Sequence, residues 1–315
     1  MIYSLQRFTR LATLIYRNVG RGGTKAVVEA LPGDALRVTL KMARPWTFRP
    51  GQHMYLYMPT IGMWTNHPFS VAWSEEEDNP TSEKGLAISR QDILASKRTE
   101  MSLIIRRRTG FTTYLHRRAE RAVDGKLIVR AFVEGPYGGL HQLQSYGTVM
   151  MFAGGVGITH QIPHVRELVA GFSNSTVAAR RVVLVWIVQS PGELRSFHLS
   201  SSNRFLTTVT EHLEWIRPWM TTILAMDNRR EILRILLFVT KPRSTQEIHS
   251  PSATVQMFPG RPNVGTLIGL EADKQIGAMG VSVCGPGALS DDVRLAVRQR
   301  QAYSNIDFVE ESFSW

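Results

Sequence analysis

One cysteine, Cys284, stands among 315 residues. A lone thiol excludes an internal disulfide framework and fits a reducing compartment. No apolar run reaches the roughly 20 residues needed to cross a bilayer, so the chain as given is not expected to be an integral membrane protein. Acidic residues are also scarce. There are 26 against 37 Lys and Arg, a formal net charge of +11, and none precedes Glu29. Such a balance invites a nucleic-acid reading. The basic residues are dispersed, however, apart from Arg7, Arg10, Arg17, Arg21 and Lys25, and no zinc-finger, homeodomain or RNA-recognition signature accompanies them. A second cluster, Arg106-Arg107-Arg108, precedes a glycine turn and suits a diphosphate neighbour equally well. What remains is ordinary for folded chains: 43% hydrophobic and 20% charged residues, at a length that predicts about two domains.

Residues 2 to 19 place apolar side chains at 2, 5, 8, 11, 12, 15, 16 and 19 beside arginines at 7, 10 and 17. This is the pattern of a basic amphipathic helix. Arginines interrupt the apolar stretch and no small-residue cleavage pattern follows, so it is not a secretory signal. Two readings fit. The helix lies at an anionic membrane face, or it packs on the protein's own surface.

From Lys25 the pattern is β. Strands are predicted near 26–29, 35–40, 54–58, 69–73, 86–90, 102–106 and 127–131, with a Pro-Gly-Asp turn at 32–34. Short, closely spaced strands suggest an antiparallel barrel. Gly110-Phe111-Thr112-Thr113 opens a predicted helix over 114–122, where start-of-helix amides and a hydroxyl suit a diphosphate. The second half begins differently. Val149 to Ala153 is a continuous apolar run ending in Gly154-Gly155-Val156-Gly157-Ile158-Thr159, with helix expected over 165–169. Buried strand, glycine turn and helix form the first unit of a doubly wound fold, although the spacing falls short of the full dinucleotide fingerprint. A second strand over 182–188 ends at Gln189-Ser190 without the acidic residue that holds a ribose 2′-hydroxyl. Ser190 and Arg195 are candidates for a 2′-phosphate, which favours NADPH as donor. A helical region over 205–220, strands over 232–240 and 281–283, a helix cap at Ser290-Asp291-Asp292 and a helix over 293–300 follow.

The ordered series Arg49-Pro50-Gly51-Gln52, His67-Pro68-Phe69-Ser70, Gly154 to Thr159, Cys284-Gly285-Pro286-Gly287 and the ending Glu310-Glu311-Ser312-Phe313-Ser314-Trp315 resembles one family. It is the ferredoxin-reductase-type flavoprotein module of fungal ferric-chelate reductases, relatives of the NADPH oxidases, and the resemblance runs the length of the chain. It implies an antiparallel flavin-binding β-barrel followed by a doubly wound parallel-sheet α/β nucleotide domain. The expected boundaries are 1–21 for the membrane-proximal helix, 22–144 for the FAD domain and 145–315 for the NADP domain. Phe69 then offers a flat face to the isoalloxazine, Ser70 a hydroxyl to flavin N5, and His67 stands where many relatives carry an arginine. Gly110, Phe111 and Thr112 adjoin the FAD diphosphate.

Gly154, Gly155, Gly157, Ile158 and Thr159, with Arg261 in Phe258-Pro259-Gly260-Arg261-Pro262, adjoin NADPH, a surface ion pair being the alternative for Arg261. Cys284, Gly285 and Pro286 lie beside the nicotinamide, Trp315 stacks on the flavin, and Glu310 or Glu311 lies nearby. Ser70, Cys284 and Trp315 are the candidate catalytic residues. The implied activity passes electrons from NADPH through FAD toward haem and ferric chelates, at the cytoplasmic face of a membrane. The chain resembles the soluble half of a longer protein whose haem-bearing transmembrane half, or a separate acceptor, is the partner. A superoxide-forming oxidase module and a catalytically inactive membrane-bound scaffold are the alternatives. His160 and His164 sit four apart, but no third ligand stands at motif spacing, so no metal site is expected.

Overall fold

The computed structural model describes residues 2–20, 22–63, 65–78, 97–139, 141–189, 203–227, 229–240, 250 and 252–310. The chain divides into two compact units, Met1–Gly139 and Leu140–Trp315.

The first unit opens with helix α1 (Ile2–Asn18), and then β1 (Lys25–Leu31), β2 (Ala35–Lys41), β3 (Gln52–Tyr57), β4 (Asn66–Ser70), β5 (Trp73–Asp78) and β6 (Lys97–Arg106) follow. Helix α2 (Phe111–Glu120), β7 (Lys126–Arg130) and β8 (Phe132–Gly138) complete it. Two antiparallel sheets result, ordered β5-β6-β2-β1-β7 and β4-β3-β8. Period-two alternation turns Leu36, Val38 and Leu40 of β2, Met54 and Leu56 of β3, and Met101, Leu103 and Ile105 of β6 into one core. Leu115 and Ala119 of α2 and Val133 of β8 join them. The β1–β2 turn contains Gly33 at φ 73° and Asp34 at φ 58°, the left-handed conformations that a Pro-Gly-Asp turn supplies. The strand expected over 86–90 lies outside the described residues.

Helix α1 is as amphipathic as its pattern predicts, but its two faces have separate uses. Arg10 pairs with Glu134 of β8, and the Arg17 guanidinium lies 4.8 Å over the Trp46 ring. Asn18 closes the helix on β8: its amide donates to the Val133 carbonyl at 2.8 Å, and its oxygen accepts from the Val133 N–H at 2.8 Å. Arg10, Arg17 and Asn18 therefore face the protein. Leu5, Phe8, Leu11, Ile15, Tyr16 and Val19 are each half exposed or more.

The second unit is one six-stranded parallel sheet, ordered β12-β11-β10-β9-β13-β14. Its strands are β9 (Thr148–Gly154), β10 (Arg181–Gln189), β11 (Leu233–Thr240), β12 (Val255–Pro259), β13 (Met279–Cys284) and β14 (Ile306–Glu310). The helices are α3 (Ile158–Ser173), α4 (Asn203–Met226), α5 (Val264–Ala272) and α6 (Gly287–Arg300). Central strands β9 and β13 are buried almost without interruption, as a parallel sheet covered on both faces requires.

The sequence patterns do not give β5, β8, β12, β14 or α5, they start α3 and α6 too late, and the strand expected over 69–73 is broken at Val71-Ala72 between β4 and β5. Ser290-Asp291-Asp292 is not a cap but the interior of α6. Pro286 caps that helix, at φ −60° and ψ 146°, and its carbonyl accepts from Leu289 N–H at 2.9 Å. Ser290 is buried in consequence.

Candidate functional site

In the first unit β4 carries His67-Pro68-Phe69-Ser70 and pairs with β3, so that His67 faces Leu56, Phe69 faces Met54 and Ser70 faces His53. Alternation sends Phe69 toward the core, where it packs half buried. The His67 ring lies 4.5 Å from that of Phe111, the first residue of α2, and 6.4 Å from that of Phe69. Three of the sequence-predicted residues are thus brought together. Gly110, just before α2, has φ 65° and provides no side-chain cap, and a Cβ there would meet none of the described residues within 4 Å. The helix start is open on that side, as an anion-binding terminus must be.

Among the described residues His67 Nε2 is buried without a hydrogen-bond partner, and burial lowers its pKa. A buried nitrogen left unpaired costs on the order of 1–3 kcal/mol until something pairs with it. That orphaned donor or acceptor, beside an aromatic ring and an open helix start, fits a phosphate-bearing aromatic cofactor. The Thr112 hydroxyl accepts from Arg108 N–H at 2.8 Å and so shapes the turn entering α2. Of the Arg106–Arg108 cluster, Arg107 is committed to Asp34 at 2.9 Å.

The second unit builds its site from backbone. Strand order reverses at β9, which lies between β10 and β13, and the turns after β9 and β13 flank this switch point. Gly154 to Gly157 and Cys284 to Pro286 occupy those two turns and touch. A Cβ on Gly157 would lie 2.0 Å from the Cys284 carbonyl oxygen, and one on Gly154 would lie 2.5 Å from Pro286 Cδ. Gly155 is different: its φ is +55°, a Cβ would meet none of the described residues within 4 Å, and its carbonyl accepts from Trp186 Nε1 at 3.0 Å. Two glycines are therefore needed for packing and the third leaves an open surface at the start of α3, the arrangement in which a pyrophosphate approaches backbone. Ile158 and Thr159 open α3, and the Thr159 hydroxyl donates to the Val156 carbonyl at 2.9 Å.

Cys284 is buried at the end of β13, opposite Ala153. Glu310, opposite Val283, is held by Arg294, which also binds Asp291 at 2.6 Å. Arg261 is exposed just after β12, a strand separated from β9 by β11 and β10. Ser190, Arg195, Glu311 and Trp315 lie outside the described residues. The His160 and His164 rings are 5.3 Å apart and buried, and among the described residues no group of three or more potential metal ligands occurs.

The sequence reading missed a cluster on the outer face of β3 and β8: His53, Tyr55, Glu134 and Tyr137, with Arg10 reaching in from α1. The available signal was the alternating Phe132-Val133-Glu134 before Gly135-Pro136, obscured because glycine and proline break strand patterns.

A model of the FAD-binding domain matches residues 21–82, and a model described as the ferric reductase NAD binding domain matches residues 146–298. Over 170 residues, 54% of this chain, it is 32% identical to the probable cell surface ferric reductase kap2 of Aspergillus oryzae. Over 306 residues, 93% of this chain, it is 26% identical to ferric/cupric reductase transmembrane component 2 of Saccharomyces cerevisiae. The chain spans 21% and 39% of those two proteins' lengths. In fold it is similar to a solved ferredoxin reductase in carbazole 1,9a-dioxygenase, with a TM-score of 0.54 and 16% identity, covering 90% of this chain and 68% of that one. No described helix is long and apolar enough to cross a membrane. With an FAD-binding domain followed by a ferric reductase NAD-binding domain, the chain belongs to the fungal ferric reductase family of flavoprotein modules, relatives of the NADPH oxidases.

Proposed function

We propose that this chain is the flavin reductase module of a ferric-chelate reductase, taking electrons from NADPH and passing them through FAD toward haem and ferric chelates in iron uptake. The observation that carries the reading is the meeting of Gly154 and Gly157 with Cys284-Gly285-Pro286 at the switch point, with Gly155 left open beside them. FAD, when bound, supplies two-electron acceptance from a nicotinamide and release of electrons one at a time.

The residues divide that work. His67, Pro68, Phe69, Gly110, Phe111 and Thr112 hold FAD, and Ser70 offers a hydroxyl to its ring edge. Gly154, Gly155, Gly157, Ile158 and Thr159 receive the NADPH pyrophosphate, Ser190 and Arg195 its 2′-phosphate, and Arg261 adds a cation. Cys284, Gly285 and Pro286 would shape the nicotinamide place, where a small polarisable thiol permits close approach, and Trp315 would cover the bound flavin. Residues 22–144 and 145–315 form the FAD and NADP domains, behind a membrane-proximal helix over 1–21. The partner is a haem-bearing transmembrane half or a separate acceptor. The apolar face of α1 sits at the cytoplasmic membrane surface, without nucleic acid or metal.

Purified chain loaded with FAD should reduce ferricyanide with NADPH. Arg195→Ala should raise the KM for NADPH by on the order of tenfold, the scale of one lost charge-assisted contact, and leave that for NADH nearly unchanged. A colourless protein that takes up no FAD and oxidises no NADPH favours the scaffold. Joined to a membrane half, superoxide yield above ferric reduction favours the oxidase.

A further inference from the structure

Ser70, His53 and Tyr137 form one row across the sheet β4-β3-β8, because His53 pairs with Ser70 on one side and Tyr137 on the other. Directly opposed residues of antiparallel strands stand side by side on one face. The Tyr137 ring lies 5.9 Å from His53 and 5.7 Å from Tyr55, and the His53 and Tyr55 rings are 6.1 Å apart, so the three rings close a triangle. Backbone fills the next flank: a Cβ on Gly138, at φ +74°, would stand 3.1 Å from His53 Nδ1.

Glu134 holds this triangle in place. The Tyr137 hydroxyl donates to Glu134 Oε1 at 2.6 Å, and Arg10 of α1 grips both carboxylate oxygens, with one amino group 2.8 Å from Oε2. Only 12% of the Glu134 side chain is exposed. Burial pushes the Glu134 carboxyl up, but hydrogen bonds from Arg10 and Tyr137 and the Arg10 charge outweigh it and hold the group below its ordinary value. Burial, then Glu134, pushes the Tyr137 phenol up to about 12. The carboxylate thus stays ionised and the phenol neutral through the physiological range, which fixes the direction of their hydrogen bond. A bidentate guanidinium–carboxylate pair with a third donor specifies position as well as energy.

We propose that Glu134 and Tyr137 are positioning residues for Ser70: anchored by Arg10, they hold His53 in the row and thereby set the place of the Ser70 hydroxyl against the bound flavin. The inference rests on the reading of Ser70 as a flavin contact. It also makes α1 part of the site, since the guanidinium that fixes Glu134 is carried by a helix whose other face is exposed and apolar.

The test uses the full FAD-loaded chain, with visible circular dichroism of the flavin, FAD affinity and thermal midpoint measured for Tyr137→Phe, Glu134→Gln, Arg10→Ala, Ser70→Ala and the Tyr137→Phe/Ser70→Ala double variant. Tyr137→Phe deletes one oxygen and keeps the ring. It should change the flavin dichroism and weaken FAD about three- to tenfold, the scale of one ordinary net hydrogen bond. Glu134→Gln and Arg10→Ala should change the dichroism in the same sense. In the Ser70→Ala background Tyr137→Phe should add little, because both act through one hydroxyl. Thermal midpoints that fall while dichroism and FAD affinity stay unchanged would show a purely structural role and overturn the proposal, as would additive effects of the two substitutions. Should the Glu134 and Arg10 variants fail to fold, Tyr137→Phe and its cycle with Ser70→Ala still decide the matter. If unmodified chain takes up no FAD, the flavin reading itself fails, an outcome distinct from either.

Discussion

The two units build their candidate sites from opposite materials. In the first, side chains do the work: the rings of His67 and Phe111 at 4.5 Å, an orphaned imidazole nitrogen, and a cross-strand row ending on Ser70. In the second, backbone does it: Gly157 lies under the Cys284 carbonyl, Gly154 lies against Pro286, and Gly155 is open. The difference follows from the sheets. Antiparallel strands present alternate side chains on an accessible face, whereas parallel strands are buried on both faces and offer a ligand only the turns at their carboxyl ends. Substitutions should therefore trade stability against binding in the first unit and threaten the fold in the second.

The largest expected effect breaks the second site. Gly157→Ala places a Cβ 2.0 Å from backbone oxygen, which no rotamer relieves, and should cost about 3 kcal/mol or more in denaturant unfolding. Gly155→Ala meets no atom of the described residues and suffers its left-handed φ, so about 1–2 kcal/mol is expected. Equal losses at the two positions would contradict the separation of packing glycine from open glycine.

Next comes acid. Burial lowers the His164 pKa from 6.5 to about 4, so the unfolded chain binds this proton more readily than the folded one. The stability linked to His164 is whole above about pH 6.5 and is lost as pH falls toward 4, by at most about 3 kcal/mol. His164→Gln should flatten that slope in pH-dependent melting, and an unchanged slope would assign the acid loss elsewhere. The smallest effect has a sign that sharpens the contrast. His67→Leu removes the unpaired buried nitrogen and should raise the melting temperature of cofactor-free chain by a few degrees, while weakening FAD about tenfold. Reduced stability with unchanged FAD affinity would make His67 a packing residue.

Legibility followed the same division. The parallel sheet announced itself as continuous apolar runs, and Val149 to Ala153 and Val182 to Val188 fall within β9 and β10. The glycine turn and Cys284-Gly285-Pro286 were visible as motifs, but their contact was not, because it joins residues more than a hundred positions apart. β8 was hidden by Gly135, Pro136 and Gly138, and with it Glu134 and Tyr137, whose significance depends on register with β3. The amphipathic pattern of α1 was plain. The inward turn of Arg10 and Arg17 depends on Glu134 and Trp46, and no local pattern reports it.

The most direct test mixes FAD-loaded chain with NADPH in the absence of oxygen and follows the flavin's visible absorbance. Bleaching within seconds, stoichiometric with NADPH consumed, is the expected result. A flavin that binds yet stays oxidised in excess NADPH would contradict the account.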